Sequence, residues 1–155
     1  GSTIMTRHFI FSLSLSLLSL SSSHAMSLEL HTTYLDLRAQ MYHRQYEQVL
    51  ESLAQKLKKN IEDVDIGKSP VKFAQAFTFV SSISGSLITE LSFFQTVDKD
   101  TGKGCLSVNG LTDDYEPVVV SLEFVWEEKR WKISHSKIDF IANYDLFYKE
   151  ADCSK

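Results

Sequence analysis

The chain has 155 residues, of which 43% are apolar and 23% charged, and its formal net charge is −4 at pH 7. That is ordinary globular composition, and the length fits one domain able to bury a core without metals or many disulfides. The acidic balance argues against a nucleic-acid binder, which would carry a basic stripe.

In chain order, Met5-Thr6-Arg7-His8 supplies a short positive start. Phe9 to Leu20 is an apolar stretch interrupted only by Ser, and Ser23-His24-Ala25 fits a small-x-small cleavage pattern. Residues 5–25 therefore read as a cleavable secretory signal peptide. Gly1 to Ile4 would be a remnant of expression ahead of the initiator Met5, and the mature domain would cover 26–155, in the periplasm or secreted. The stretch is too short and too Ser-rich to span a bilayer, so no stable membrane insertion is expected after its removal. The competing reading is a native strand, because Ser12 to Leu17 alternates as a half-buried strand would.

One long helix is expected from Thr33 to Lys59, with Leu35, Tyr42, Tyr46, Val49, Leu50, Leu53 and Leu57 on one face. Its end carries the one basic run, Lys56-Leu57-Lys58-Lys59, where cations complement the helix dipole. Asn60 is a stop, and Ile61 to Lys68 an acidic connection. Ser69 then caps a second helix with Pro70 in its first position. Phe73, Ala76, Phe77 and Val80 form its stripe, and Gly85 ends it.

The remainder reads as strands. Leu87 to Val97 is followed by a turn over 98–103, a return strand Gly104 to Val108, and a turn signal at Asn109-Gly110. Pro117 opens a strand, Val118 to Glu127, with Val118, Val120, Leu122, Phe124 and Trp126 on one face. Glu128-Lys129 turns the chain into Arg130 to Phe140, with Trp131, Ile133, His135, Lys137 and Asp139 expected on one face. A two-residue turn sets Trp126 opposite Trp131 and Phe124 opposite Ile133. The expected fold class is α+β, with N-terminal helices packed on a curved antiparallel sheet.

The segments Val119-Val120-Ser121-Leu122-Glu123-Phe124-Val125-Trp126 and Lys129-Arg130-Trp131-Lys132-Ile133 resemble the closing hairpin of the nuclear-transport-factor-two-like superfamily. The resemblance implies a cone-shaped roll whose interior would be lined by Phe124, Trp126, Trp131 and Ile133. A single unbroken first helix departs from that pattern, since the family often breaks it. The superfamily holds isomerases and dehydratases as well as non-catalytic domains of secretion systems and exported proteins, so fold alone does not decide activity.

The residues with chemical potential are few. His135 and Asp139, with Lys137 between them, would share a strand face near a pocket, where burial tunes an acid or base. Alternatively that half of the strand is simply wet. In the resembling isomerases a carboxylate and a Tyr do the work, for which Asp139 and Tyr42 or Tyr46 are the nearest candidates. Asp98-x-Asp100-x-Gly102 fails as a calcium loop, having no third carboxylate. The histidines lack metal-ligand spacing, and no Gly-rich phosphate loop or nucleophile elbow occurs, so neither metal nor cofactor is expected. Cys105 and Cys153 would form one disulfide in an oxidising compartment. The aromatic tail, Phe140, Tyr144, Phe147 and Tyr148, is either a terminal segment packed on the sheet or a partner-binding patch.

The leading expectation is an exported non-catalytic domain that binds another protein, such as an immunity or secretion-accessory protein. A binder of a small apolar ligand is the second, and an acid–base enzyme of isomerase or dehydratase type is the third. The interior of the roll discriminates: an open pocket favours the latter two, and a core filled by Phe73, Phe77, Trp126 and Trp131 favours the first.

Overall fold

Helix α1 (Leu30–Tyr42) buries Leu30, Tyr34 and Leu37, the i, i+4, i+7 stripe of an amphipathic helix. Its first residues cannot bond within the helix, and Glu29 supplies no side-chain cap. The cap comes from another element. Gln95 Oε1 accepts from the backbone N–H groups of Leu30 and His31, at 2.9 and 3.1 Å. The computed structural model describes Met26 and residues 29–154, so the expected signal segment and the four residues before it lie outside the described residues.

The helix expected over Thr33 to Lys59 is instead three: α1, α2 (Tyr46–Glu51) and α3 (Gln55–Lys58). Two causes act. Arg44 sits at φ 56°, which no helix interior tolerates. Residues 52–54 then leave the helix to bond a sheet edge: Ile133 N–H donates to Ser52 O and Ala54 N–H to Ile133 O, both at 2.8 Å. The breaks rotate the apolar face, so Leu35 and Tyr42 are 44% and 84% exposed.

Helix α4 (Pro70–Ala76) begins as expected: Ser69 Oγ accepts from Lys72 N–H at 3.3 Å, with Pro70 at the first position. Phe77, non-helical at φ −127° and ψ 56°, divides it from α5 (Thr78–Ser86). Phe73, Phe77 and Val80 are buried, whereas Ala76 is exposed.

Four antiparallel strands follow in the order β1-β2-β3-β4: β1 (Thr89–Asp98), β2 (Lys103–Leu111), β3 (Pro117–Glu127) and β4 (Arg130–Phe140). The first hairpin turns where Asp98 Oδ1 accepts from the N–H groups of Asp100 and Thr101, and Gly102 takes a positive φ of 63°. In the last hairpin Glu128 and Lys129 both have positive φ, as a two-residue turn matched to strand twist requires. Trp126 pairs with Trp131 and Phe124 with Ile133, in the expected register.

Asn109 and Gly110 are not a turn. They lie inside β2, paired with Val119 and Val118, and the chain reverses over 112–116 instead. A Cβ on Gly110 would fall 2.4 Å from Thr89 O, so glycine is needed there for a close approach between strands.

The α+β architecture is thus helices on one face of a four-stranded sheet. Leu106, Val120, Leu122, Phe124, Trp131 and Ile133 from the sheet meet Leu30, Tyr34, Phe73, Phe77, Val80 and Ile83 from the helices in one buried cluster. Phe73 touches both Tyr46 and Phe77, with ring centroids 4.7 and 5.2 Å away.

Candidate interaction surface

A β-bulge in β4 decides where its polar residues point. Phe124 pairs with Ile133 but Glu123 pairs with His135, leaving Ser134 as the extra residue. The Ser134 hydroxyl donates to Glu123 O at 3.3 Å. Side-chain parity inverts past the bulge. Ser136 and Ile138 join the core face opposite Leu122 and Val120, while His135, Lys137 and Asp139 move to the outer face opposite Glu123, Ser121 and Val119. The expected shared face of Trp131, Ile133, His135, Lys137 and Asp139 is therefore corrected. The sequence does carry the signal, because its apolar positions shift from Trp131 and Ile133 to Ile138 and Phe140.

His135 is exposed and borders a shallow cleft of about 170 Å³ with Leu57, Phe79, Ser134 and Ser136. Asp139 lies four residues along the strand, roughly 13 Å away. The two side chains do not converge. Asp139 instead pairs with Lys137 Nζ at 3.1 Å and accepts a hydrogen bond from the Tyr148 hydroxyl. Neither Tyr42, exposed at the end of α1, nor Tyr46, packed on Phe73, takes that place. Phe124, Trp131 and Ile133 are buried in the core, and half-buried Trp126 meets Trp131 edge-on with centroids 5.2 Å apart.

The outer face of the sheet is crossed by the C-terminal segment, a strap from Asn143 to Cys153. It is fixed at four places. Asn109 Nδ2 donates to Tyr148 O at 2.8 Å, and Asn109 Oδ1 accepts from Tyr148 N–H at 3.1 Å. The Asp139–Tyr148–Lys137 group is the second attachment. Ser107 Oγ accepts from Asp152 N–H at 3.0 Å and lies 2.8 Å from Ser121 Oγ, in a buried polar row. Cys105 and Cys153 close the far end at disulfide distance, with sulfurs 2.09 Å apart, as the sequence led us to expect. Burial and then the bond to Asp139 push the Tyr148 phenol up from its ordinary value, and the bond to Asp139 followed by that to Tyr148 pushes Lys137 up.

The strap begins at the edge formed by the β2–β3 turn, where a 3₁₀ turn covers Tyr144–Leu146. Tyr144 donates its hydroxyl to Tyr115 O at 3.5 Å and packs near Phe147, 5.7 Å between centroids. At this same end of the sheet Ile88, Tyr115, Phe140, Tyr144 and Leu146 are between 50% and 75% exposed. Comparison with protein-family models, with curated proteins and with solved structures finds no match. The site must therefore be read from its own chemistry.

Sequence reasoning missed a second cluster, at the junction of α1 and β1. His31 Nε2 lies 2.6 Å from Glu90 Oε1, and its ring stacks on Phe93 at 3.7 Å. Residues so far apart in the chain give no local signal. Arg38 donates to Leu87 O at 2.9 Å and lies 5.6 Å from the Tyr34 ring centroid. Tyr34 is buried, which pushes its phenol up to about 12. Among the described residues no group of His, Cys, Asp and Glu is placed to hold a metal ion, and no helix is long and apolar enough to cross a membrane.

Proposed function

We propose that this chain is an exported domain that binds another protein through the aromatic end of its sheet and carries out no reaction itself. The observation that carries the reading is the exposed group Tyr115, Phe140, Tyr144 and Leu146, half of it presented by a strap that a disulfide and a polar row hold in place. Large apolar side chains on a rigid support are what interfaces use as anchors, since little conformational entropy is lost on binding. Two further features support it. The interior between helices and sheet is filled by side chains such as Phe73, Phe77, Phe124 and Trp131, and Asp139 is engaged by Lys137 and Tyr148. Export rests on the N-terminal sequence and on the cysteine pair, which belongs in an oxidising compartment. An immunity or secretion-accessory role is the finer form of this proposal.

The test is site-specific photo-crosslinking in the native host. A crosslinker in place of Tyr144 should capture one protein, and the adduct should vanish when Tyr115 and Phe140 are both changed to Ser. Val64, 89% exposed in the acidic connection, is the control position. Equal adducts at Val64 and Tyr144, or none at Tyr144, would remove the reading. Mass spectrometry of the same material should find the mature N-terminus near Met26; recovery of the intact chain from the cytosol would remove export.

A further inference from the structure

We propose that the surface received at this end is cationic, a Lys- or Arg-bearing face of another protein. The inference rests on the protein-binding reading above and adds the chemistry of what is bound.

The first observation is Tyr115. It occupies the left-handed region at φ 63°, where glycine or asparagine is the ordinary occupant of a turn. Its main chain explains the turn: Tyr115 N–H donates to Thr112 O at 3.1 Å, and Thr112 N–H to Glu116 O at 2.9 Å. Its side chain explains nothing inside the fold. It is 75% exposed, and the only bond Tyr115 receives from Tyr144 goes to its backbone carbonyl. A bulky residue in a strained turn, its ring without an aromatic or hydrogen-bond partner among the described residues, points to a use outside the molecule.

The second observation is charge. Asp113, Asp114 and Glu116 flank Tyr115, and Asp145 follows Tyr144; all four are exposed. Among the described residues none of these carboxylates is ion-paired. Lys137, on the neighbouring strand, is already bound to Asp139. Lys149 is the one cation of the strap and is followed directly by Glu150. Aromatic faces framed by free carboxylates suit ammonium and guanidinium groups, through cation–π contact and charge-assisted hydrogen bonds. The acidic connection at Glu62 to Asp65 offers a contrast within the same chain. It has no aromatic residue, and its Asp63 is paired with Lys72 at 2.8 Å.

Amide chemical shifts of the full domain, titrated with a deca-arginine peptide at physiological salt, test the inference. Shifts should concentrate at 113–116 and 140–147 and exceed those at 62–65. Asp113→Asn with Asp114→Asn should weaken binding by about tenfold. Tyr115→Gly should raise the thermal midpoint, because strain is relieved, and still weaken peptide binding. Shifts of equal size at 62–65, or a Tyr115→Gly variant that binds unchanged, would overturn the proposal. The crosslinking experiment separates the two readings: a partner captured at Tyr144 through a segment without Lys or Arg overturns the cationic inference and leaves protein binding standing. No capture at all removes both.

Discussion

Asp139 accepts the hydroxyl of Tyr148, nine residues later, and so ties the outer face of β4 to the C-terminal strap. The carboxylate that an acid–base reading would place beside His135 is a structural anchor, paired with the Lys137 ammonium next to it. Tyr148→Phe keeps the ring and removes this bond together with the one Lys137 Nζ donates to the hydroxyl at 3.3 Å. It should cost about 1.5 kcal/mol, the lower end of the range for hydrogen bonds to charged groups, because the place is partly exposed. Tyr144→Phe removes only an exposed bond at 3.5 Å and should stay within about 0.5 kcal/mol. Urea unfolding of the two variants decides; equal losses would show that the Asp139 contact is not special.

Asn109 should matter more. Its side chain is 1% exposed and bonds both the N–H and the C=O of Tyr148, as well as Ser92 Oγ at 3.0 Å. Asn109→Ala leaves two strap backbone groups without partners, at a cost of about 2 kcal/mol or more. Asn109→Asp should be worse, because it removes the donor and buries a charge opposite a carbonyl. Thermal unfolding measures both, and an alanine variant within 0.5 kcal/mol of the parent would mean the strap is held elsewhere.

The cysteine pair closes a loop with a sequence separation of 48. On the chain-entropy model a loop of that size is stabilised by about 4 kcal/mol. Cys105→Ser with Cys153→Ser should lower stability by up to that amount. Because the bond secures only the end of the strap, limited proteolysis of the variant should cut first within 141–154 while the sheet stays protected. Cleavage starting in the helices would contradict this.

Those same residues show what the sequence could and could not tell. The hairpin of Trp126 and Trp131 was legible, because two adjacent turn residues leave one register that buries both apolar faces. Ser69 and Pro70 were legible, because capping is local. Asn109-Gly110 misled for a physical reason. Its asparagine serves a strap forty residues away in the chain and its glycine serves a strand contact, so both turn-forming residues answer long-range demands. The bulge at Ser134 was readable only as a shift of apolar parity, and it moved His135 and Asp139 out of the supposed interior. The break after Glu51 had no local signal, since it is imposed by the free edge of β4, which bonds Ser52 and Ala54.

Tyr34 offers a test in alkali. Its hydroxyl is buried and has no partner at hydrogen-bond distance among the described residues, and burial pushes its phenol up to about 12, with the nearby Arg38 acting in the opposite direction. An unfolded tyrosine ionises near pH 10. Between those values the folded chain keeps a proton that the unfolded chain has lost, so stability falls as pH rises through the window. Lys137 and Tyr148 are also raised, and their contributions likewise are complete below the ordinary values and lost above them. The urea midpoint should therefore hold steady from pH 7 to about 9 and decline from about 10 upward. Tyr34→Phe removes a buried polar atom that has no hydrogen-bond partner among the described residues, so the variant should be at least as stable as the parent at neutral pH. Its decline above pH 10 should be shallower, and the slowest phenol should disappear from the native absorbance titration. A variant destabilised by more than about 1 kcal/mol at pH 7 would show that the hydroxyl is bonded after all, with Arg38 the donor to examine.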